Sequence, residues 1–328
     1  MKMELITTPS QTSQNIATYL HQTEEQARDY LKKSKAENTI RAYRADWNCF
    51  TTWCKENDLS ALPATPETVS LYLTGMAGQK KCSTLQRRLS AISQAHQAAN
   101  HESPTLHIKV RAIWRGIRRT HGTAYEGKAP AITADIKKMV ETLDNLKNEK
   151  LRVRDRALLL LGFAGAFRRS ELVGLDYADL LINSDGITVN LRKSKTDQEG
   201  QGRKIGIPYG SNRETCPVRS LQKWLEVSGI SFGALFRPIN RHNQMRNMRL
   251  SDKAVALIVK RCAKSAGLDS TKYAGHSLRA GLATSAANAG VSERAIMNQT
   301  GHNSVVMVRR YIREGTIFKD NAAAQVGL

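Results

Sequence analysis

Tyr311 stands in the segment TGHNSVVMVRRYI, which also holds His302, and GHSLRAG a little upstream carries His276 and Arg279. A phenol close to imidazole and guanidinium groups can attack a phosphodiester while the cations hold the charge that grows on its nonbridging oxygens. Arginine suits that second task because it stays protonated and offers paired donors. Arg168 and Arg279 are therefore the expected clamp. Arg168 lies in AFRRSELVGL, where its spacing from Glu171 is that of residues on one helical face. His276 and Arg279 have the same spacing after Gly275, so both can face an anion near an expected helix N-terminus. Tyr311 is the expected nucleophile. A free phenol titrates near pH ~10, so it needs a proton acceptor or strong stabilisation of the phenolate. His276 is the candidate acceptor, with a purely orienting role as the alternative. Each residue alone reads equally well as structural; as a spaced set they point to catalysis.

Arginine, lysine, His-x-x-Arg, histidine and tyrosine in this order resemble the tyrosine recombinase/integrase family, and locally its Cre-like site-specific recombinases most. The resemblance implies that Arg168 is the first motif arginine, Arg279 the arginine of His-x-x-Arg, and His302 a second histidine that hydrogen-bonds the scissile phosphate. It implies that Glu171 is the carboxylate that supports the site architecture, with an ordinary helix-surface ion pair as the alternative reading. It also implies a lysine on a β-hairpin as general acid for the leaving 5′ oxygen. KSKT matches that lysine pattern at Lys195, although Lys193 would point to the same side of a strand. The implied reaction is a metal-free transesterification through a 3′-phosphotyrosyl link, without cofactor, run by a homotetramer on two double-stranded DNA sites. Accessory proteins are possible partners. The implied fold is mainly α with a small β-sheet (α+β), a helical core-binding domain followed by a catalytic domain, together forming a clamp around DNA. Ala166-Phe167, Arg169 and Thr300 depart from common family residues without removing a reacting group.

Composition agrees with a polyanionic partner. The chain of 328 residues carries 50 Lys+Arg against 29 Asp+Glu, a formal charge of +21. The excess is spread through apolar-bearing periodic segments rather than confined to a tail, which favours nucleic acid over a membrane surface. The longest apolar run, 157–167, is too short to span a bilayer, and no signal-peptide core opens the chain. Five cysteines without CxxC pairs suggest reduced thiols and a cytoplasmic location on the nucleoid; Cys49 and Cys54 lack a second pair for zinc. There is no GxxxxGK[ST] loop for a nucleotide, and no metal ligand set is expected.

The positioning elements follow from periodicity. Residues 1–25, rich in Ser, Thr and Gln, read as a loosely ordered lead-in, and 26–121 as a helical DNA-binding domain. Ile40, Tyr43, Trp47, Phe50 and Cys54 form one apolar stripe, leaving Arg41 and Arg44 outside it. Thr65-Pro66 reads as an N-cap and first helical residue. Leu85, Leu89 and Ile92 should face inward, leaving Gln86, Arg87 and Arg88 for DNA, while His96 packs. Between 109 and 120, Val110, Ile113, Trp114 and Ile117 make one stripe and Arg111, Arg115, Arg118 and Arg119 another, which suits phosphate contact. Residues 122–130 read as a linker and 131–328 as the catalytic domain, with Thr133 capping its first helix and 157–167 as a buried central helix. Strand-like runs at 187–191 and 204–208 flank a Gly-rich hairpin tip. Beyond Tyr311, the apolar residues Ile317, Phe318, Ala322, Ala323, Val326 and Leu328 could dock on a neighbouring copy, dock within the chain or fray. Two other functions fit parts of the pattern: strand relaxation of the type IB topoisomerase kind, and a catalytically silent DNA-binding protein.

Overall fold

The structure is a computed structural model that describes residues 11–124, 127–192, 194, 197, 200–302 and 304–316. Its contacts divide the chain into two compact units, Met1–Glu126 and Gly127–Leu328.

The first unit is helical: α1 (Gln11–Lys33), α2 (Glu37–Glu56), α3 (Pro66–Met76), α4 (Cys82–Ala98) and α5 (Ile108–His121). Phe50, Tyr72, Leu73, Leu85, Ile92 and Val110 form its core. Phe50 meets Tyr72 edge to face at 5.0 Å, a favoured aromatic geometry. The Thr65 hydroxyl accepts the Thr68 N–H, and Pro66 follows at the first helical position. His96 is buried among these helices with both ring nitrogens in use, on Ala64 N and Ile92 O. The expected loose lead-in is corrected in part, because α1 already runs from Gln11. Its Gln, Ala, Glu, Leu, Arg and Lys residues are good helix formers, and propensity does not require the core stripe that the periodicity argument looked for. Ile16, Tyr19, Leu20, Tyr30 and Leu31 of this helix are exposed.

In the second unit come α6 (Thr133–Glu141), α7 (Glu149–Ala164), α8 (Arg169–Gly174), β1 (Leu180–Ile182), β2 (Gly186–Leu191), β3 (Arg203–Pro208), α9 (Pro217–Ser228), α10 (Asp252–Ser265), α11 (His276–Asn288), α12 (Glu293–Thr300) and α13 (Val305–Thr316). The three strands form an antiparallel sheet in the order β1-β2-β3, with Ile187 opposite Ile207 and Leu191 opposite Arg203. α7 is the central helix, buried from Val153 to Gly162 except at Arg156 and packed against α9 and α11. It ends at Ala164 rather than Phe167, because a tight turn with Ala166 in the left-handed region (φ 49°) breaks it. Thr133 is the first residue of α6 and not its cap. Ile132 holds the cap position, and the Asp135 carboxylate accepts the Ile132 N–H while Ser285 Oγ accepts that of Thr133.

The segment leading into α6 is laid against α11. Ala129 N–H donates to Lys272 O, Ala131 N–H to Ser277 O, and Lys128 Nζ to Thr271 O. Gly281 makes that approach possible, since a Cβ there would stand 1.8 Å from Ala131 O. The obstacle is backbone, so neither side can yield cheaply. Gly281→Ala is expected to destabilise the protein by about 3 kcal/mol, an overpacking penalty, read as a lowered unfolding midpoint in urea. An unchanged midpoint would contradict the close packing.

Candidate active site

α8 begins at the turn that ends α7, and Arg168 occupies its N-cap position with extended backbone (φ −68°, ψ 153°). Arg168 and Glu171 therefore do not share a helical face as their spacing suggests. They form a closed loop instead: Glu171 Oε2 accepts the Arg168 N–H at 2.9 Å, and Oε1 accepts from Arg168 Nη1. Glu171 is buried while the Arg168 head is partly accessible, so the carboxylate aims the guanidinium rather than covering it.

α11 starts at His276, which brings Arg279 one turn behind it on the same side. Arg279 is only 1% exposed, and its Nη1 donates to Ala166 O at 2.9 Å across the α7–α8 turn. Its Nη2 is buried without a hydrogen-bond partner among the described residues. A buried guanidinium donor left open is costly, and an incoming anion would satisfy it.

Tyr311 lies on α13, buried against Ala280, Ala283 and Ala287 of α11 and Ile296 of α12. Small residues on α11 let the phenol ring sit close to the helix that carries His276 and Arg279. The Tyr311 hydroxyl is 3.2 Å from His276 Nε2. His302 follows Gly301, which ends α12 in a left-handed conformation (φ 65°), and its ring centroid is 5.9 Å from that of Tyr311. The Thr300 hydroxyl donates to Ile296 O at 2.6 Å and meets His302 Nδ1 at 2.7 Å. With its proton committed to Ile296, the hydroxyl accepts from Nδ1, so Nε2 is left to face a ligand, as an acceptor in the neutral ring and as a donor only in the imidazolium.

Positive charge accumulates here. Burial first, then Arg168, holds the Arg279 guanidinium down to about 10, still protonated at neutral pH. Burial, followed by Arg279, Arg168, His276 and Arg203, pulls His302 down to about 4. Because the unfolded value is about 6.5, the unfolded chain takes up the proton first as pH falls. His302 costs nothing above that value, destabilises the fold increasingly below it, and reaches its full cost below about 4. His302→Gln is therefore expected to lose less melting temperature than the parent between neutral and mildly acidic pH; parallel curves would contradict the assignment.

Five of the six expected catalytic residues, Arg168, His276, Arg279, His302 and Tyr311, thus gather in one place with Glu171. Lys195, with its alternative Lys193, lies outside the described residues, as does the tail 317–328. The hairpin base is described. Arg192 Nε donates to Asp179 Oδ1 at 2.7 Å, and the Asp197 carboxylate gathers the N–H groups of Gly200, Gln201 and Gly202. Among the described residues no group of three His, Cys, Asp or Glu side chains could hold a metal ion, and no helix is long and apolar enough to cross a membrane.

Of the expected DNA contacts in the first unit, Arg41, Arg44, Arg111, Arg115, Arg118 and Arg119 are exposed. Arg88 is a correction. It is buried and donates to Tyr72 OH at 2.8 Å, since three residues after Leu85 it belongs to the inward stripe. Arg87 is half-exposed but bound by both oxygens of Asp46, and Gln86 Oε1 accepts from Trp114 Nε1. Sequence reasoning missed Asp46, whose carboxylate draws both arginines, and Thr300, noted only as a departure from a family residue.

Comparison with known proteins agrees with this geometry. Residues 133–316 match the phage integrase family, and residues 25–103 match the phage integrase N-terminal SAM-like domain. The chain is 47% identical over 299 residues to an integrase/recombinase XerD homolog of Selenomonas ruminantium, covering 90% of this chain and 87% of that one. It is 23% identical over 303 residues to the recombinase Cre of Escherichia phage P1, covering 86% and 85% of the two chains. The fold is similar to a lambda integrase tetramer bound to a Holliday junction, with TM-score 0.59, 19% identity and coverage of 92% of this chain and 79% of that one. The ordered arginine, histidine and tyrosine set, the three-stranded sheet and these matches lead to one conclusion: the chain belongs to the phage integrase family and is a tyrosine site-specific recombinase.

Proposed function

We propose that the protein cuts and rejoins double-stranded DNA at specific sites, with Tyr311 as nucleophile and strand exchange between two sites. The observation that carries this reading is the Tyr311 hydroxyl, 3.2 Å from His276 Nε2 and beside the buried, incompletely satisfied Arg279. In the first step the phenol oxygen attacks phosphorus as its proton passes to His276 Nε2. The bond from phosphorus to the 5′ oxygen breaks, and the leaving oxygen takes a proton from Lys195. Arg168 and Arg279 hold the nonbridging oxygens while charge develops on them, and His302 donates to one through Nε2 once that negative charge has raised its proton affinity and protonated the ring. The 3′-phosphotyrosyl link conserves the phosphoester energy, so a 5′ hydroxyl from a second strand reverses the step without nucleotide hydrolysis.

Residues 26–121 act as the core-binding domain and 131–328 as the catalytic domain. Arg41, Arg44, Arg111, Arg115, Arg118 and Arg119 contact the DNA backbone, which fits the formal charge of +21. A homotetramer on two sites is the working assembly; the lambda integrase tetramer on a Holliday junction supports it. The protein works on cytoplasmic, nucleoid-associated DNA.

The test is adduct capture. The protein is incubated in chelator with DNA fragments from its encoding genomic neighbourhood, denatured, and the attached ends are sequenced. Site-specific adducts on 3′ ends, with free 5′ hydroxyls, are expected. Specific binding without an adduct would support the silent binder, and monomeric relaxation without exchange would support the topoisomerase reading.

A further inference from the structure

β3 opens on Arg203, whose guanidinium runs into the end of α12. Nη1 donates to Asn298 O at 3.2 Å and Gln299 O at 3.1 Å, and Nη2 to Thr300 O at 3.4 Å. The last carbonyls of a helix have no partner inside it and carry the negative end of its dipole, so a cation is favoured there. The contact shapes the turn that follows. A Cβ on Gly301 would stand 2.7 Å from Arg203 Cζ, so the left-handed residue that ends α12 is wrapped closely around the guanidinium. Gln299 adds a second tie, its Nε2 donating to Ala164 O at the end of α7 and to Gly206 O on β3. The next residue after this braced turn is His302.

We propose that Arg203 is a positioning residue for strand transfer: through the C-terminal carbonyls of α12 it fixes the turn that presents His302 beside Tyr311, and it ties that turn to the β2–β3 hairpin. The proposal rests on the reading of His302 as a phosphate ligand. The role assigned to Arg203 is support of the turn rather than contact with the phosphate. The guanidinium's three donor contacts are to the backbone of α12, and it acts through the backbone that carries His302. His302 is faced by Arg279 and His276 from α11, Arg168 at the head of α8, Tyr311 from α13 and Arg203 from β3, so Arg203 also contributes charge at the imidazole. Burial, opposed by Glu171 and reinforced by Arg168, lowers the Arg203 pKa itself. The planar fork matters because three carbonyls on successive residues cannot be served equally by the point charge of a lysine.

Arg203→Met and Arg203→Lys test this, each checked for folding by circular dichroism and for DNA affinity. Single-turnover adduct formation is measured on a nicked substrate in the parent and in a His302→Gln background. A misplaced ligand of the transition state costs about 100-fold, so Arg203→Met is expected to slow the parent by about that factor with DNA affinity nearly unchanged. Arg203→Lys should recover part of the rate. In the His302→Gln background the same substitution should cost less than about threefold, because the two changes remove one function. An equal slowing in both backgrounds, or no slowing in the parent, would overturn the proposal. If the parent forms no adduct at all, the recombinase chemistry fails separately, and imidazole nitrogen resonances still decide. His302 signals that move in Arg203→Met support the positioning role, whereas unmoved signals exclude it.

Discussion

Arg279→Met is expected to lower the rate of adduct formation by about 10²–10³-fold while leaving the melting temperature of the DNA-free protein unchanged or raised. The two effects have one cause. Arg279 is almost wholly buried, is held near two other guanidinium groups, and keeps a donor without a hydrogen-bond partner among the described residues. Such an arrangement costs stability in the absence of an anion and returns it when a phosphate arrives, so it favours the charged transition state over the empty site. Methionine fills similar volume without the cation, at the expense of the hydrogen bond to Ala166 O, worth about 1 kcal/mol. DNA should also stabilise the parent more than the variant. Paired melting curves with and without DNA, alongside single-turnover rates, separate these outcomes; a variant that is both less stable and fully active would show that Arg279 is a structural ion.

Tyr311→Phe is expected to reduce adduct formation by at least about 10⁴-fold, to below detection, with DNA affinity retained. The ring packs against the alanines of α11 and against Ile296, contacts that phenylalanine keeps, so only the hydroxyl facing His276 is lost. The substitution therefore isolates the chemistry from the packing. Residual adduct at the same DNA position would require another nucleophile, and loss of binding would mean that the hydroxyl serves affinity rather than attack. Quantitative gel analysis of denatured complexes, with binding curves on the same DNA, makes the distinction.

Periodicity made α2 to α5 and most of the second unit legible, because their apolar stripes are what the cores bury. The site residues were legible for a different reason: His276, Arg279, His302 and Tyr311 lie close in sequence, and the ordered set resembles the tyrosine recombinase/integrase family, which brought in the distant Arg168 and Glu171. What stayed hidden was nonlocal or too short. β1 has three residues and no pattern to read. Arg168 and Glu171 have the separation of a helical pair and of a cap with the third helical residue alike, and only the break after α7 distinguishes them. Arg88 turns inward because Tyr72 and Asp46 wait on other helices. Arg203 meets α12 across 95 positions of sequence, a distance at which spacing carries no information.

The strap that lies along α11 has a bearing on how this protein can be recombined with its relatives. The backbone register is set by hydrogen bonds from Ala129 to Lys272 and from Ala131 to Ser277, the Lys128 side chain adds a bond to Thr271 O, and Gly281 leaves no slack beneath Ala131. A chimera joined upstream of Gly127 inherits this splice whole and can exchange its first unit as a cassette. A joint placed two or three residues later cuts through the fastening, and a residue inserted between Ala129 and Ala131 would shift Ala131 from Ser277 and Gly281 on the helix that bears His276 and Arg279.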